Sequence, residues 1–269
     1  MGLVDKYGPW AIVAGASEGT GRAFALQLAA GGIACVLIAR REQPLLDLAA
    51  EIRARHGLEC LALALDLSTP EACDRIIEVV GSREVGLYIS NAGADPNSAR
   101  FLERDVSTWI SLVNRNVLTT MRCCHHFAQL MQKRGRGGIL LVGSGACYGG
   151  GSNLAAYSAC KAFDLCFAES IWAELRSSGI DVLYLALTMT DTPALRQLLA
   201  GNGLPVPERL ASAEDVARAG LEHLPAGPVH NFGQDDSDAG FAPSSPDARR
   251  ARILMIDEKS GAVFGKNSH

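Results

Sequence analysis

An apolar run at 10–14 breaks into Gly15-Ala16-Ser17-Glu18-Gly19-Thr20-Gly21, and good helix formers follow at Ala23, Leu26, Gln27, Ala29 and Ala30. The order is strand, glycine loop, helix. Glycines at such a bend let the backbone approach a pyrophosphate closely, and the helix N-terminus offers it free N–H groups and the positive end of a dipole. The spacing is Gly-x-x-x-Gly-x-Gly, not the commoner Gly-x-Gly-x-x-Gly, and a tight turn alone would read the same way. The remaining chain has to decide between the two.

The alternation continues. Apolar strands are expected at 33–39, 61–65, 85–90, 139–142 and 180–187, with helices at 42–56, 71–80, 105–134 and 154–176. Ser68-Thr69-Pro70 has the composition of a cap for the helix at 71–80. The stretch 105–134 reads as one long helix or two abutting ones. Asn116 lies inside it and is a mild misfit by propensity, which points to a special contact. Strand and helix in regular succession predict an α/β fold: one doubly wound parallel sheet in a three-layer single domain spanning 1–269, with ligands at the carboxyl ends of the strands.

Beyond 187 the character changes. The stretch 188–210 mixes threonines, prolines and the leucines 195, 198, 199 and 204, the make-up of a lid at the active end of a sheet. A helix at 213–224 and a closing strand at 229–232 follow. The extension 234–269 is polar to 245 and then carries an apolar stripe from Ile253 to Phe264, fit either to cover the cleft or to meet a second subunit.

Composition narrows the partners. A net charge of −4 and a pI near 5.9 provide no basic field for nucleic acid or anionic lipid, so a small molecule is expected. The longest apolar run, 28–39, holds two glycines and is too short to span a bilayer, and the first ten residues lack a signal-peptide core. A cytoplasmic protein without a membrane span is expected. The eight cysteines show no Cys-x-x-Cys pair and read as small core residues, while the adjacent His125 and His126 point to different helix faces. No metal site is expected.

At the end of the second strand, Ala39 is followed by Arg40 and Arg41. An acidic residue there would accept from a free ribose 2′-hydroxyl, whereas arginine pairs with a 2′-phosphate. These residues favour NADP(H) over NAD(H); a solvated helix start is the other reading.

The chemistry is expected between Ser144 and Lys161. Ser144 follows the strand at 139–142, and a glycine bend at 149–151 leads into a helix in which Tyr157 and Lys161 stand at i and i+4, about 5 to 6 Å apart at Cβ. An ammonium beside a phenol favours the phenolate, which suits a phenol to exchange protons near neutrality. An amphipathic helix could carry the same pair by accident.

Taken together, Gly15 through Gly21, Asp66-Leu67, Asn91-Ala92-Gly93, Asn116, Ser144 and Tyr157-Ser158-Ala159-Cys160-Lys161 resemble, in this order, the short-chain dehydrogenase/reductase family over residues 7–192. Tyr7 to Trp10, Ala39 to Arg41 and Leu187 to Pro193 look most similar to bacterial 7β-hydroxysteroid dehydrogenases and to the branch of 17β-hydroxysteroid dehydrogenases and 3-ketoacyl-CoA reductases. The resemblance implies a Rossmann-type fold, a homodimer or homotetramer, and a tetrad of Asn116, Ser144, Tyr157 and Lys161. Tyr157 would pass a proton to a ketone oxygen, Ser144 would hold that oxygen, Lys161 would hold the nicotinamide ribose, and Asn116 would anchor a water. Gly15, Ser17, Glu18, Gly19, Thr20 and Gly21 would cradle the cofactor, with Asp66 and Leu67 along the adenine and Asn91, Ala92 and Gly93 beneath. The family's Pro-Gly pair after the sixth strand is Leu187-Thr188 here, and Thr188, Thr190 and Thr192 offer hydroxyls in its place.

The expected activity is NADP(H)-dependent interconversion of a ketone and a secondary alcohol on a bulky apolar substrate such as a hydroxysteroid, held by Ser144, Tyr148, Tyr157, Met189, Leu195 and Leu199. A 3-ketoacyl thioester reductase is the alternative among enzymes. A catalytically silent cofactor-binding regulator is the alternative of another class.

Overall fold

Every residue of Ala34–Ala39 and of Gly137–Val142 is buried, as in strands covered on both faces. The structure, a computed structural model, describes residues 2–97 and 99–233; the expectations for 234–269 lie outside them. A short helix α1 (Leu3–Tyr7) precedes β1 (Trp10–Ala14), and α2 (Gly19–Ala30), β2 (Ala34–Ala39), α3 (Glu42–His56), β3 (Cys60–Ala64), α4 (Ala72–Val80) and β4 (Val85–Ser90) then alternate. Next come α5 (Val106–Val113), α6 (Thr119–Arg134), β5 (Gly137–Val142), α7 (Ala155–Leu175) and β6 (Ile180–Leu187). The chain continues through β7 (Thr190–Asp191), α8 (Pro193–Gly201), β8 (Ala211–Ser212), α9 (Ala213–His223) and β9 (Val229–Phe232).

Seven strands form one parallel sheet in the order β3-β2-β1-β4-β5-β6-β9. The order reverses between β1 and β4, which opens a crevice at their carboxyl ends. One apolar layer joins the sheet to α2, α3 and α9 through Phe24, Leu28, Leu48, Ile52 and Val216, and the other joins it to α4, α6 and α7 through Ile76, Phe127, Met131 and Ala168. The result is the doubly wound, three-layer, single-domain Rossmann-type fold. All eight cysteines are free thiols, seven of them buried. Among the described residues no cluster could hold a metal ion, and no helix is long and apolar enough to cross a membrane.

Three local expectations change. The stretch 105–134 is neither one helix nor two simply abutting: α5 and α6 join through a π-helical turn, Asn114–Leu118. Asn116 Nδ2 donates to the Leu112 carbonyl at 3.0 Å, taking an acceptor that the regular ladder would use and favouring the wider turn. Ser68 and Thr69 do not cap α4. Their groups bond back to Asp66, whose carboxylate accepts from the Ser68 N–H (2.9 Å) and hydroxyl (2.8 Å), and α4 begins at Ala72 with Glu71 as an N-cap that makes no side-chain bond. The stretch 188–210, expected as a lid with no helix assigned to it, carries α8, capped by the Thr192 hydroxyl on the Leu195 N–H at 3.2 Å.

Phe24 on α2 is fully buried, and a Cβ added at Gly220 of α9 would stand 2.9 Å from its ring, so the two helices close tightly there. Phe24→Ala should cost about 3–5 kcal/mol in urea unfolding. A loss below about 1 kcal/mol would mean that this contact does not hold α2, and with it the glycine loop, in place.

Candidate active site

The glycine loop is shaped by close approach. Gly15 has φ +87°, and its N–H donates to the Ile38 carbonyl at 2.7 Å. Asn91, just past β4, donates through Nδ2 to the Gly15 carbonyl at 3.0 Å, and a Cβ at Gly21 would lie 1.9 Å from that same oxygen. Only a glycine lets α2 start so near β1. No side chain caps the N-terminus of α2, so its first N–H groups face the cleft as donors. This cradle fits a dinucleotide pyrophosphate.

A cleft of about 1020 Å³ runs along the carboxyl ends of the strands. At one end stand Ser17, Glu18, Gly19 and Thr20, with Ala39, Arg40 and Arg41 from the end of β2. Glu18 does not face a ligand alone: its carboxylate pairs with Arg41 at 2.5 Å. Arg40 makes no ion pair with any described residue. Asp66 and Leu67 line the neighbouring wall, and the Ser68 N–H and hydroxyl, helped by Arg40 and Arg115, hold the Asp66 carboxyl below the usual carboxylate range. Ala92 and Gly93 lie along the floor.

At the other end, Ser144 N-caps a 3-10 turn, Gly145–Tyr148, its Oγ accepting from the Ala146 N–H at 3.2 Å. The hydroxyl proton is therefore available to donate elsewhere. The Tyr184 hydroxyl of β6 fixes the Ser144 peptide, accepting from its N–H at 3.1 Å and donating to its carbonyl at 3.2 Å. Gly143 makes room for that ring, since a Cβ there would stand 2.0 Å from Tyr184 Cζ. Tyr157 lies in the first turn of α7, and Lys161 Nζ is 6.0 Å from its ring centroid. Nζ donates to the Val142 carbonyl at 3.2 Å and to Asp164 Oδ2 at 3.2 Å. A Cβ at Gly93 would stand 2.5 Å from both Nζ and Asn116 Oδ1, so the lysine and the π-turn asparagine face one small gap beneath the cleft. Asn116 is 2% exposed and its Oδ1 has no partner among the described residues, as suits a group waiting for a water.

Other expected residues lie where the sequence did not foresee. Thr190 and Thr192 line the cleft but Thr188 does not; its hydroxyl lies beside Gly233. Leu195 lines the cleft from α8, while Leu199 is buried and does not, and Leu198 stands there instead. Met189 is exposed and off the cleft wall. Tyr148 is off it too, its hydroxyl donating to Asn231 Oδ1 at 2.8 Å. The helical phase of α8 decides between Leu198 and Leu199, and the phase follows from where Thr192 starts the helix. Arg115, Tyr184 and Asp164 were not anticipated. Arg115 lines the cleft beside Arg40 and donates to the Ala94 carbonyl at 3.0 Å. Its sequence signal is a charge one residue before the misfit Asn116.

Known proteins resemble this chain in sequence and fold. The short chain dehydrogenase family profile matches residues 9–203. The 7β-hydroxysteroid dehydrogenase of Collinsella aerofaciens is 32% identical over 202 residues, covering 75% of this chain and 76% of that protein. The very-long-chain 3-oxoacyl-CoA reductase of Podospora anserina is 33% identical over 221 residues, covering 81% of this chain and 65% of the reductase. A solved structure from a study of 7β-hydroxysteroid dehydrogenase stereoselectivity superposes with a TM-score of 0.83 at 28% identity, over 94% of this chain and 99% of that one. With the glycine cradle and the grouped Ser144, Tyr157 and Lys161, these matches establish that the chain belongs to the short-chain dehydrogenase family, oxidoreductases of CH–OH groups that use a nicotinamide cofactor.

Proposed function

We propose that this protein interconverts a ketone and a secondary alcohol on a bulky, apolar, steroid-like substrate, with NADP(H) as its cofactor. The observation that carries the reading is one cleft lined both by Ser144, Tyr157 and Lys161 and by the leucines 154, 187, 195 and 198. The likeness to 7β-hydroxysteroid dehydrogenases supports the steroid class.

The nicotinamide supplies the hydride when bound. Tyr157 gives its hydroxyl proton to the carbonyl oxygen, and Ser144 donates a hydrogen bond to that oxygen and fixes its orientation. Lys161 places positive charge near the phenol, and Asn116 anchors a water for proton resupply. The loop Gly15 to Gly21 and the uncapped N-terminus of α2 would hold the pyrophosphate, Asp66 and Leu67 would flank the adenine, Asn91, Ala92 and Gly93 would form the floor, and Thr190 and Thr192 would offer hydroxyls to the carboxamide. Arg40, Arg41 and Arg115 supply the charge for a 2′-phosphate; Glu18 takes up part of Arg41, so Arg40 bears most of the preference. In this reading 188–210 is the substrate lid: a Cβ at Gly19 would stand 3.0 Å from the Thr192 methyl, so the lid reaches the cofactor loop. The exposed apolar side chains Phe101, Leu102, Val106 and Ile110 suit a homodimer or homotetramer contact, and action in the cytoplasm completes the proposal.

The test follows loss of reduced cofactor with NADPH and then NADH against ketosteroids, 3-ketoacyl thioesters and aryl ketones. Ketosteroid reduction with NADPH is expected, and turnover of thioesters alone would replace this reading with the other branch. Tyr157→Phe should lower kcat by at least about 100-fold while NADPH binding, followed by fluorescence, stays close to wild type. Retention of most turnover would remove Tyr157 from the proton step. Arg40→Asp should reduce the preference for NADPH over NADH by about 10- to 100-fold, the worth of hydrogen bonds to a charged group. An unchanged preference would relocate the 2′-phosphate contact.

A further inference from the structure

Asp164 is a carboxylate in the core. It sits one turn beyond Lys161 on α7, and both residues are only 4% exposed. Oδ2 takes a hydrogen bond from Lys161 Nζ at 3.2 Å, and Oδ1 is buried without a partner among the described residues. A leucine would fill such a position at lower cost, because buried ion pairs seldom stabilise a fold more than apolar residues of similar volume. The position therefore calls for a reason beyond packing.

The surroundings supply one. Besides Lys161, the titratable groups that face Asp164 are Cys124 of α6, Tyr184 of β6 with Cys147 beside it in the turn after β5, and Cys160 on α7 itself. Burial pushes the Cys160 thiol up to about 11 and raises Cys124 and Tyr184 well above their ordinary ranges, so all are neutral at neutral pH. Burial also raises the Asp164 carboxyl, while the Lys161 ammonium opposes that rise by attraction and by its hydrogen bond. The ion pair of this pocket is Lys161 with Asp164, and Arg115 and Asp95 act in opposite senses on the adjacent Cys160; Lys161 Nζ lies 6.0 Å from the Tyr157 ring centroid, so the phenol lies within reach of the pair.

We propose that Asp164 is a positioning residue: its buried carboxylate holds Lys161 Nζ in place and offsets part of the ammonium's charge. This extends to higher pH the range in which Tyr157 keeps the proton that ketone reduction consumes. The inference rests on the reading of Tyr157 and Lys161 as the proton-handling pair. Removing one negative charge favours proton loss from its neighbours. In Asp164→Asn, Lys161 keeps the Val142 carbonyl and faces an amide oxygen in place of the carboxylate, so its uncompensated charge acts on the phenol.

The experiment needs no substrate. The Tyr157 phenolate absorbance is isolated by subtracting the titration of Tyr157→Phe from that of the full-length chain, and then in the same way on an Asp164→Asn background. The midpoint should fall by about one pH unit in Asp164→Asn and stay near wild type in Asp164→Glu, which keeps the charge. An unchanged or alkaline-shifted midpoint in folded Asp164→Asn overturns the proposal, whatever its melting temperature. Asp164→Ser, which removes the charge without adding bulk, takes its place where Asp164→Asn does not fold. In the wild-type chain, carbon-13 NMR of labelled aspartate should find the Asp164 carboxyl ionised at neutral pH; a protonated carboxyl overturns the proposal without any variant. Absence of ketone turnover in the cofactor assay would count against the proposed function and leave these titrations readable.

Discussion

A buried ammonium is the constraint around which the reactive end of this protein is built. Lys161 is only 4% exposed, so the protein supplies hydrogen bonds in place of bulk water: the Val142 carbonyl at the end of β5 and the Asp164 carboxylate one turn along α7, beside the gap it shares with Asn116. Each partner belongs to a different piece of the fold. The carbonyl exists because β5 ends there, the gap because Gly93 has no side chain, and the asparagine because a π-turn interrupts the passage from α5 to α6. A shift in any of them would disturb the surroundings that hold the ammonium in place.

The same economy of space governs the cofactor end. Asn91 and Gly15 bring the ends of β4 and β1 together across the crevice where strand order reverses, and Gly21 lets α2 begin within reach of both. The helix N-terminus is thereby aimed into the cleft without a capping side chain. Tyr184 repeats the logic under Ser144, filling the space Gly143 leaves and holding the serine peptide by both its N–H and its carbonyl. Positions chosen for size support positions chosen for chemistry.

This explains what could be read from sequence and what could not. The sheet was legible because buried parallel strands are continuous apolar runs, and Ala34–Ala39 and Gly137–Val142 stand out in any window. Ser144, Tyr157 and Lys161 were legible because the motif and the helical repeat place them on one side of the cleft. The π-turn at Asn116 was visible only as a misfit residue, since sequence does not say which carbonyl its amide will take. The Ser68 and Thr69 hydroxyls had two partners available, the α4 N-terminus and Asp66, and spacing alone does not choose between them. Leu198 and Leu199 differ by about 100° around α8, so one residue of uncertainty in the start of a helix exchanges a cleft-lining side chain for a buried one. Asp164 was hidden for a simpler reason: an aspartate on a helix reads as solvent-facing until the packing shows it is not.

The cleft is therefore polarised along its length. Arg40, Arg41 and Arg115 line it together, with Glu18 and Asp66 countering part of their charge; Ser144, Tyr157 and Lys161 line it from the end of β5 and from α7, where Lys161 is the buried cation and Asp164 its counter-ion. The proposed NADP(H) cofactor has a matching asymmetry, with a 2′-phosphate on its adenosine ribose, a pyrophosphate in the middle and the nicotinamide at the far end. In the proposed reading this placement of charge draws the 2′-phosphate end of the cofactor toward the arginines. In the same reading, compensation at Lys161 would serve orientation as well as proton transfer, since an uncompensated cation there would draw anionic groups to the place where an uncharged carbonyl has to bind.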